Sequence, residues 1–261
     1  MALCLAVTSV PGKRSVLSFH SGGYPSSPAG QAARRASWRG VALRRFHRTI
    51  VVNEALREVF HRYGVRPERC HLIPPYWVPA EAPPLPPGAL AEFFARHPQV
   101  ILSVGLLETE YDLPRQLEAF AALSNSSAGL LWIGSGSLEP QLRDLIAASP
   151  CRDRVLLLGD VPRPHTLAAI ARAALLWRTT LYDGDAVSVR EALHFGTPVL
   201  ATDNGMRPPG VHLCPLANTA ALVARTRDVL LAPRPPRFPH DGEANLRAVL
   251  QLYQQLSEGK K

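Results

Sequence analysis

The sequence predicts an α/β protein with parallel sheets in two unequal parts. Three observations carry that expectation. The 261 residues are 46% hydrophobic and 19% charged, enough to bury a sizeable core. Short apolar runs alternate with amphipathic helical stretches, the pattern of βαβ units. A proline-dense stretch then separates a short first part from a longer second one. Composition excludes disordered, collagen-like and coiled-coil proteins, and no apolar run approaches the roughly 18–20 residues that span a bilayer. The apolar start at 1–10 lacks a basic leader, so a cleaved signal peptide is not expected.

In the first part, 16–19 reads as a strand ending at His20, 31–48 as a basic helix and 49–52 as a buried strand. A helix over 54–63 stops at Gly64, and 70–73 is the next strand. Prolines crowd 74–87. Proline removes backbone donors and stiffens the chain, so 80–98 reads as a linker between domains at 1–79 and 99–240, with a closing amphipathic helix over 241–257. In the second part strands are expected at 100–105, 129–134, 155–158, 174–177 and 198–202. Helices are expected at 113–123, 138–148, 165–172 and 187–195.

The charge is uneven. Residues 1–70 hold twelve Lys or Arg against three acids, a balance of +9, whereas the whole chain carries +8. Such a field favours an anionic partner or membrane surface, and the alternative is arginine usage on solvated helix faces. The region has no nucleic-acid reading motif, so nucleic acid is not an expected partner. The four cysteines form no Cys-x-x-Cys pair and the nine histidines no metal spacing, so neither a disulfide framework nor a metal site is indicated and a reducing cytoplasm is the expected location.

In open α/β sheets ligands bind beyond the carboxyl ends of the strands. One such end carries Gly134-Ser135-Gly136-Ser137, where glycine serves either ligand approach or loop packing. Another carries Tyr182-Asp183-Gly184-Asp185-Ala186-Val187-Ser188-Val189-Arg190-Glu191. This is a turn into a helix whose free N–H groups and dipole suit a diphosphate. Asp183 and Glu191 are acceptors suited to sugar and ribose hydroxyls; alternatively the aspartates cap the helix and Glu191 pairs with a nearby arginine. A third end carries Asp203-Asn204-Gly205.

Leu181 through Gly205 closely resembles the donor-site signature of retaining family-4 glycosyltransferases of the GT-B fold: an acid, seven residues, a glutamate, then a Gly-x-Pro-Val strand and a glycine loop. The segments at 103–113, containing Gly105, and at 132–138 match the family's other landmarks in order. The resemblance covers about 16–257. It implies a complete carboxyl-terminal Rossmann-like domain, a partial amino-terminal one, and a nucleotide-sugar donor between them. It assigns the ribose to Glu191, the sugar hydroxyls to Asp183, the diphosphate to backbone around Ala186, Val187 and Ser188, and an approach to the sugar to His20. The other reading of His20 is a loop histidine bonded to neighbours. No metal or other cofactor is implied, and diphosphate departure would rest on cations and dipoles.

Three departures from the family pattern follow. Asp183 stands where glutamate is usual. Leu106 and Tyr111 stand where an arginine and a lysine commonly meet the diphosphate, so Arg178 is expected to substitute, ahead of Arg190 and Arg207. The amino-terminal half is short, as in a truncated member with incomplete acceptor loops. The resemblance and the charge together imply sugar transfer to a lipid-linked or anionic acceptor by a cytoplasmic protein touching a membrane peripherally; the alternative is a nucleotide-sugar-binding remnant without turnover.

Overall fold

A computed structural model describes residues 6, 8, 10–21, 23–75, 77–123, 127–183, 186–205, 207–237 and 243–258. The chain divides into two compact units, Met1–Trp77 with Gly242–Lys261, and Val78–Asp241.

The first unit holds three parallel strands in spatial order β1 (Val16–Phe19), β2 (Arg48–Val51), β3 (Cys70–Leu72). Between β1 and β2 lie two short helices, α1 (Pro28–Gln31) and α2 (Trp38–Leu43). The continuous basic helix expected over 31–48 is therefore broken. Ser37 restarts it by accepting from Gly40 N–H, and Gly40 sits where a Cβ would meet the carbonyls of Arg34, Arg35 and Tyr63 at 2.8–3.0 Å. Helix α3 (Glu54–Arg62) is capped by Asn53, whose side chain accepts from Leu56 N–H at 2.9 Å. It ends where Gly64 takes φ +83°, with Gly64 N–H donating to His61 and Val65 N–H to Phe60. Leu56, Val59 and Phe60 bury one face of α3 with Val51, Val52 and Tyr63. A second cluster joins Ile50 and Ile73 to Leu252 and Leu256 of the closing helix, Ala244–Glu258. The closing helix thus belongs to the first unit, although it follows the second in sequence.

Ser15 N–H donates to Nδ1 of His47 at 3.1 Å, so that nitrogen carries no proton. Burial lowers the His47 pKa, helped by Arg14, Arg69 and Arg48. Burial likewise lowers His71 and His97. The unfolded chain therefore binds more protons near the ordinary histidine value of about 6.5. Stability should be fully present above that value and fall as pH drops below it. Thermal unfolding followed from pH 7 to pH 5 checks this, and His47→Gln should flatten part of the slope; an unchanged slope contradicts the assignment to His47.

In the second unit, helix α4 (Ala89–Arg96) occupies much of the stretch expected as linker, with Leu90 and Phe93 buried. Six parallel strands follow: β4 (Gln99–Val104), β5 (Ala128–Ile133), β6 (Val155–Gly159), β7 (Leu175–Arg178), β8 (Val199–Thr202) and β9 (His212–Cys214). Their order is β6-β5-β4-β7-β8-β9. The intervening helices are α5 (Leu113–Ala122), α6 (Glu139–Ala148), α7 (Arg163–Arg172) and α8 (Val187–His194), with α9 (Thr219–Leu231) after β9. Strand β9 and helices α4 and α9 were not expected from the sequence. β9 has three residues, of which only Cys214 is buried, and α9 has apolar positions too widely distributed for a clear stripe. Trp132 and Trp177 lie fully buried on the sheet, and Trp177 Nε1 donates to Thr226 of α9 at 3.0 Å. This is the doubly wound arrangement that leaves loops free at the carboxyl ends of β4, β5, β7 and β8.

Candidate functional site in the second unit

The loops at those carboxyl ends are tied together by backbone. Leu107 N–H donates to Ser135, Leu138 N–H to Leu107, and Leu181 N–H to Glu110, all at 2.8–2.9 Å. Beneath them Gln116 is buried; it donates to Thr179 Oγ1 at 2.8 Å and accepts from Trp132 Nε1 at 2.8 Å, while Thr179 Oγ1 donates to the Tyr111 carbonyl. A satisfied buried network of this kind fixes the loops above it.

The glycines are explained by this packing. Gly134 has φ +137°, and a Cβ there would lie 1.9 Å from the Gly105 carbonyl oxygen. A Cβ on Gly136 would meet Leu107 backbone at 2.5 Å, and one on Gly105 would meet the Tyr111 ring at 2.1 Å. Gly134→Ala should therefore cost about 2–4 kcal/mol, combining backbone strain with overpacking. Chemical unfolding checks it, and a change below about 0.5 kcal/mol would show that the loop relaxes freely.

Asp183 sits in a nest of guanidiniums. Its Oδ2 accepts from Arg178 Nε at 2.7 Å, Arg207 Nη1 at 3.0 Å and Thr180 Oγ1 at 3.2 Å. No described residue donates to Oδ1. The three charged side chains are only 9%, 3% and 12% exposed for Arg178, Arg207 and Asp183. Burial alone would raise the Asp183 carboxyl, but the charges and hydrogen bonds of Arg178 and Arg207 outweigh it and hold it below its ordinary value. Arg178 also donates to the Val104 carbonyl at 2.9 Å, and its guanidinium lies 4.7 Å from the Tyr111 ring centroid. Arg207 is held by the Thr202 carbonyl and Thr180 Oγ1. Tyr111 thus packs against the Arg178 guanidinium, and Leu106 is 53% exposed.

Helix α8 begins after Ala186, which contributes no side-chain cap. Ala186 and Ser188 are buried, Val187 and Arg190 half-buried. Glu191 is buried within α8, and its Oε1 accepts from Arg163 Nη2 at 2.7 Å, while no described residue donates to Oε2. Burial raises the Glu191 pKa, partly offset by Arg163. Glu191 does pair with an arginine, the blander of the two readings, and the pairing leaves one oxygen open. Asp183 pairs with arginines instead of capping α8. Gly184 and Asp185 lie outside the described residues. His20 belongs to the first unit, where it is exposed and its Nε2 lies 2.7 Å from Ser18 Oγ.

Arg163 and the Glu108–Ser137 contact were missed in the sequence reading. Glu108 accepts from the Ser137 hydroxyl and, at 2.7 Å, from Ser137 N–H, and these two bonds hold its carboxyl low. Its place after β4, opposite the Gly-Ser turn after β5, was the available signal. Among the described residues, no three His, Cys, Asp or Glu side chains converge.

The family model Glycosyl transferases group 1 matches residues 91–211, covering this whole site, and the model Glycosyltransferase Family 4 matches residues 1–76. The chain belongs to glycosyltransferase family 4. Among solved structures, this family-4 chain is similar to the lipopolysaccharide outer core galactosyltransferase WaaB in its apo form, with TM-score 0.53 and 17% identity over 72% of this chain and 54% of that one. It is similar to HepE from Anabaena in complex with UDP and glucose, with TM-score 0.63 and 16% identity over 95% and 71%. Sucrose-phosphate synthase from Thermosynechococcus elongatus gives TM-score 0.66 and 20% identity over 94% and 68%. The chain therefore spans about half the length of WaaB and about 70% of the other two. At these identities the likeness establishes the fold, an α/β protein of GT-B type. No curated protein matches the chain in sequence.

Proposed function

We propose that this family-4 protein binds a UDP-sugar in its second unit and transfers the sugar to an acceptor with retention of configuration. The observation that carries the reading is the pairing of two half-engaged carboxylates around the start of α8. Asp183 and Glu191 each keep one oxygen, Oδ1 and Oε2, without a donor among the described residues, as hydroxyl recognition requires. In this reading Glu191 holds the ribose and Asp183 the sugar. The N–H groups around Ala186, Val187 and Ser188 hold the diphosphate, with Gly184 and Asp185 beside them. Gly105, Gly134 and Gly136 bring the loops close enough to frame the donor. Arg178, supported by Arg190, supplies positive charge as the diphosphate leaves. His20 of the first unit stays the candidate that the family resemblance names for the sugar. UDP is favoured because the HepE structure holds it, as does the pneumococcal O-GlcNAc transferase GtfA in complex with UDP and GlcNAc.

No described helix is long and apolar enough to cross a membrane. We place the protein in the cytoplasm, with the +9 balance of residues 1–70 turned toward a lipid-linked or otherwise anionic acceptor, in polysaccharide or glycolipid assembly. A second reading, donor binding without transfer, is favoured by one observation: Arg178 and Arg207 are both already committed to Asp183.

Calorimetric titration with UDP, ADP, GDP and UDP-sugars, followed by measurement of UDP release with lipid-phosphate acceptors, tests both. UDP binding with release supports transfer, binding without release supports the second reading, and no binding by folded protein overturns both.

A further inference from the structure

The first unit carries a second basic feature at the opposite end of its sheet from the strand ends where α/β proteins usually bind ligands. A pocket of about 280 Å³ is lined by Arg35, Arg44, Phe46, Gly64, Arg66 and Arg69, with Val65 completing the wall. Phe46 lies two residues before β2 and Arg69 immediately before β3, so the pocket opens at the amino ends of these strands. Its volume is at the lower limit of small-molecule sites, about 300 Å³, and suits a phosphate group with a small substituent.

We propose that this pocket is a binding site for a phosphate ester, separate from the donor site and independent of the donor reading. The arrangement is built for an anion. Arg44 is held by two carbonyls: its Nη1 donates to Arg35 at 2.6 Å and to Tyr63 at 2.8 Å. Carbonyls orient a guanidinium without neutralising it, and its remaining N–H donors stay available to an oxyanion. Gly64 makes room for the stems. A Cβ there would lie 2.8 Å from Arg35 Cγ and 3.2 Å from Arg44 Cδ, so the glycine at φ +83° both ends α3 and lets two arginines fold across it. Among the described residues, Arg35, Arg44 and Arg69 have no ion pair with a carboxylate, and Arg66 has a long one, to Glu68 at 3.9 Å.

Four guanidiniums around one hollow repel one another, and a bound anion relieves that repulsion. The neighbouring His47 has a lowered pKa, caused first by burial and then by Arg14, Arg69 and Arg48, and of these arginines Arg69 lines the pocket. Phosphate suits the site because guanidiniums bind it through paired N–H bonds.

The test is thermal unfolding and calorimetry with inorganic phosphate against chloride at matched ionic strength, with UDP present to occupy the donor site. Phosphate should raise the unfolding temperature and bind saturably. Arg66→Gln with Arg69→Gln, which leaves the Arg44 contacts in place, should weaken phosphate at least tenfold and leave UDP affinity unchanged. Phosphatidylcholine vesicles with and without phosphatidic acid distinguish the source of the ester. Capture by the acidic vesicles, reversed by free phosphate, assigns a lipid headgroup; phosphate binding without capture assigns a soluble ester. Phosphate no better than chloride, or equal binding by the double variant, overturns the site. Failure of UDP to bind the unaltered protein bears on the donor reading alone.

Discussion

Asp183→Ala is expected to lower the unfolding free energy by about 3–5 kcal/mol, the usual cost of leaving buried charge without its partner. The reason lies in the counting of charges. Arg178 and Arg207 are nine-tenths or more buried, and Asp183 is the one carboxylate paired with either of them among the described residues. Removing it leaves two guanidiniums facing each other with only carbonyls and hydroxyls as acceptors. Asp183→Asn keeps the shape but not the charge, so it should behave nearly as badly. Because the Asp183 carboxyl is held low, its stabilisation is fully present above the ordinary aspartate value of about 3.9 and is lost as pH falls below that value through its lowered one. Urea unfolding at pH 7 measures the loss. A cost below about 1 kcal/mol would mean the arginines re-solvate, and that the triad is looser than its geometry.

Glu191→Ala is expected to weaken UDP binding by about 10–100-fold, equivalent to one hydrogen bond to a charged group at roughly 1.5–3 kcal/mol, with little loss of stability. The two effects separate because the partner, Arg163, is 43% exposed and can return to water. Glu191→Gln retains an acceptor and should lose less. Only the ionised carboxylate accepts from both ribose hydroxyls, and burial raises its pKa. UDP affinity should therefore fall as pH is lowered, starting at a higher pH than an ordinary glutamate would impose, and Glu191→Gln should remove that dependence. Calorimetry across pH 5–8 checks it. Equal UDP affinity in the unaltered protein and Glu191→Ala would place the nucleotide elsewhere.

Much of the second unit was legible in advance because its strands are continuous apolar runs. β5, β7 and β8 are buried at every position and β4 at all but its two end residues, as parallel strands covered on both faces must be. The first unit was read less well. A run of arginines from 34 to 48 has good helix formers, yet Ser37 and Gly40 divide it, and the backbone carbonyls around Gly40 leave no space for a side chain. The linker was overextended because prolines at 83–87 masked the short amphipathic helix that follows them.

For the site, the sequence by itself determined which residue types stand at the carboxyl ends of the strands: Gly105, Gly134, Gly136, Asp183, Ser188 and Glu191. It also determined the family, since the spacing from acid to glutamate to Gly-x-Pro-Val is a local property of the chain. Only the tertiary structure decided which charges meet. Arg178 and Arg207 lie 29 residues apart and grip the same Asp183 oxygen because β7 and β8 are neighbours in the sheet. Arg163 reaches Glu191 from a different helix. Periodicity reports on neighbours two to four positions away, whereas an ion pair between loops depends on strand order, and strand order follows from how a twisted sheet buries both faces.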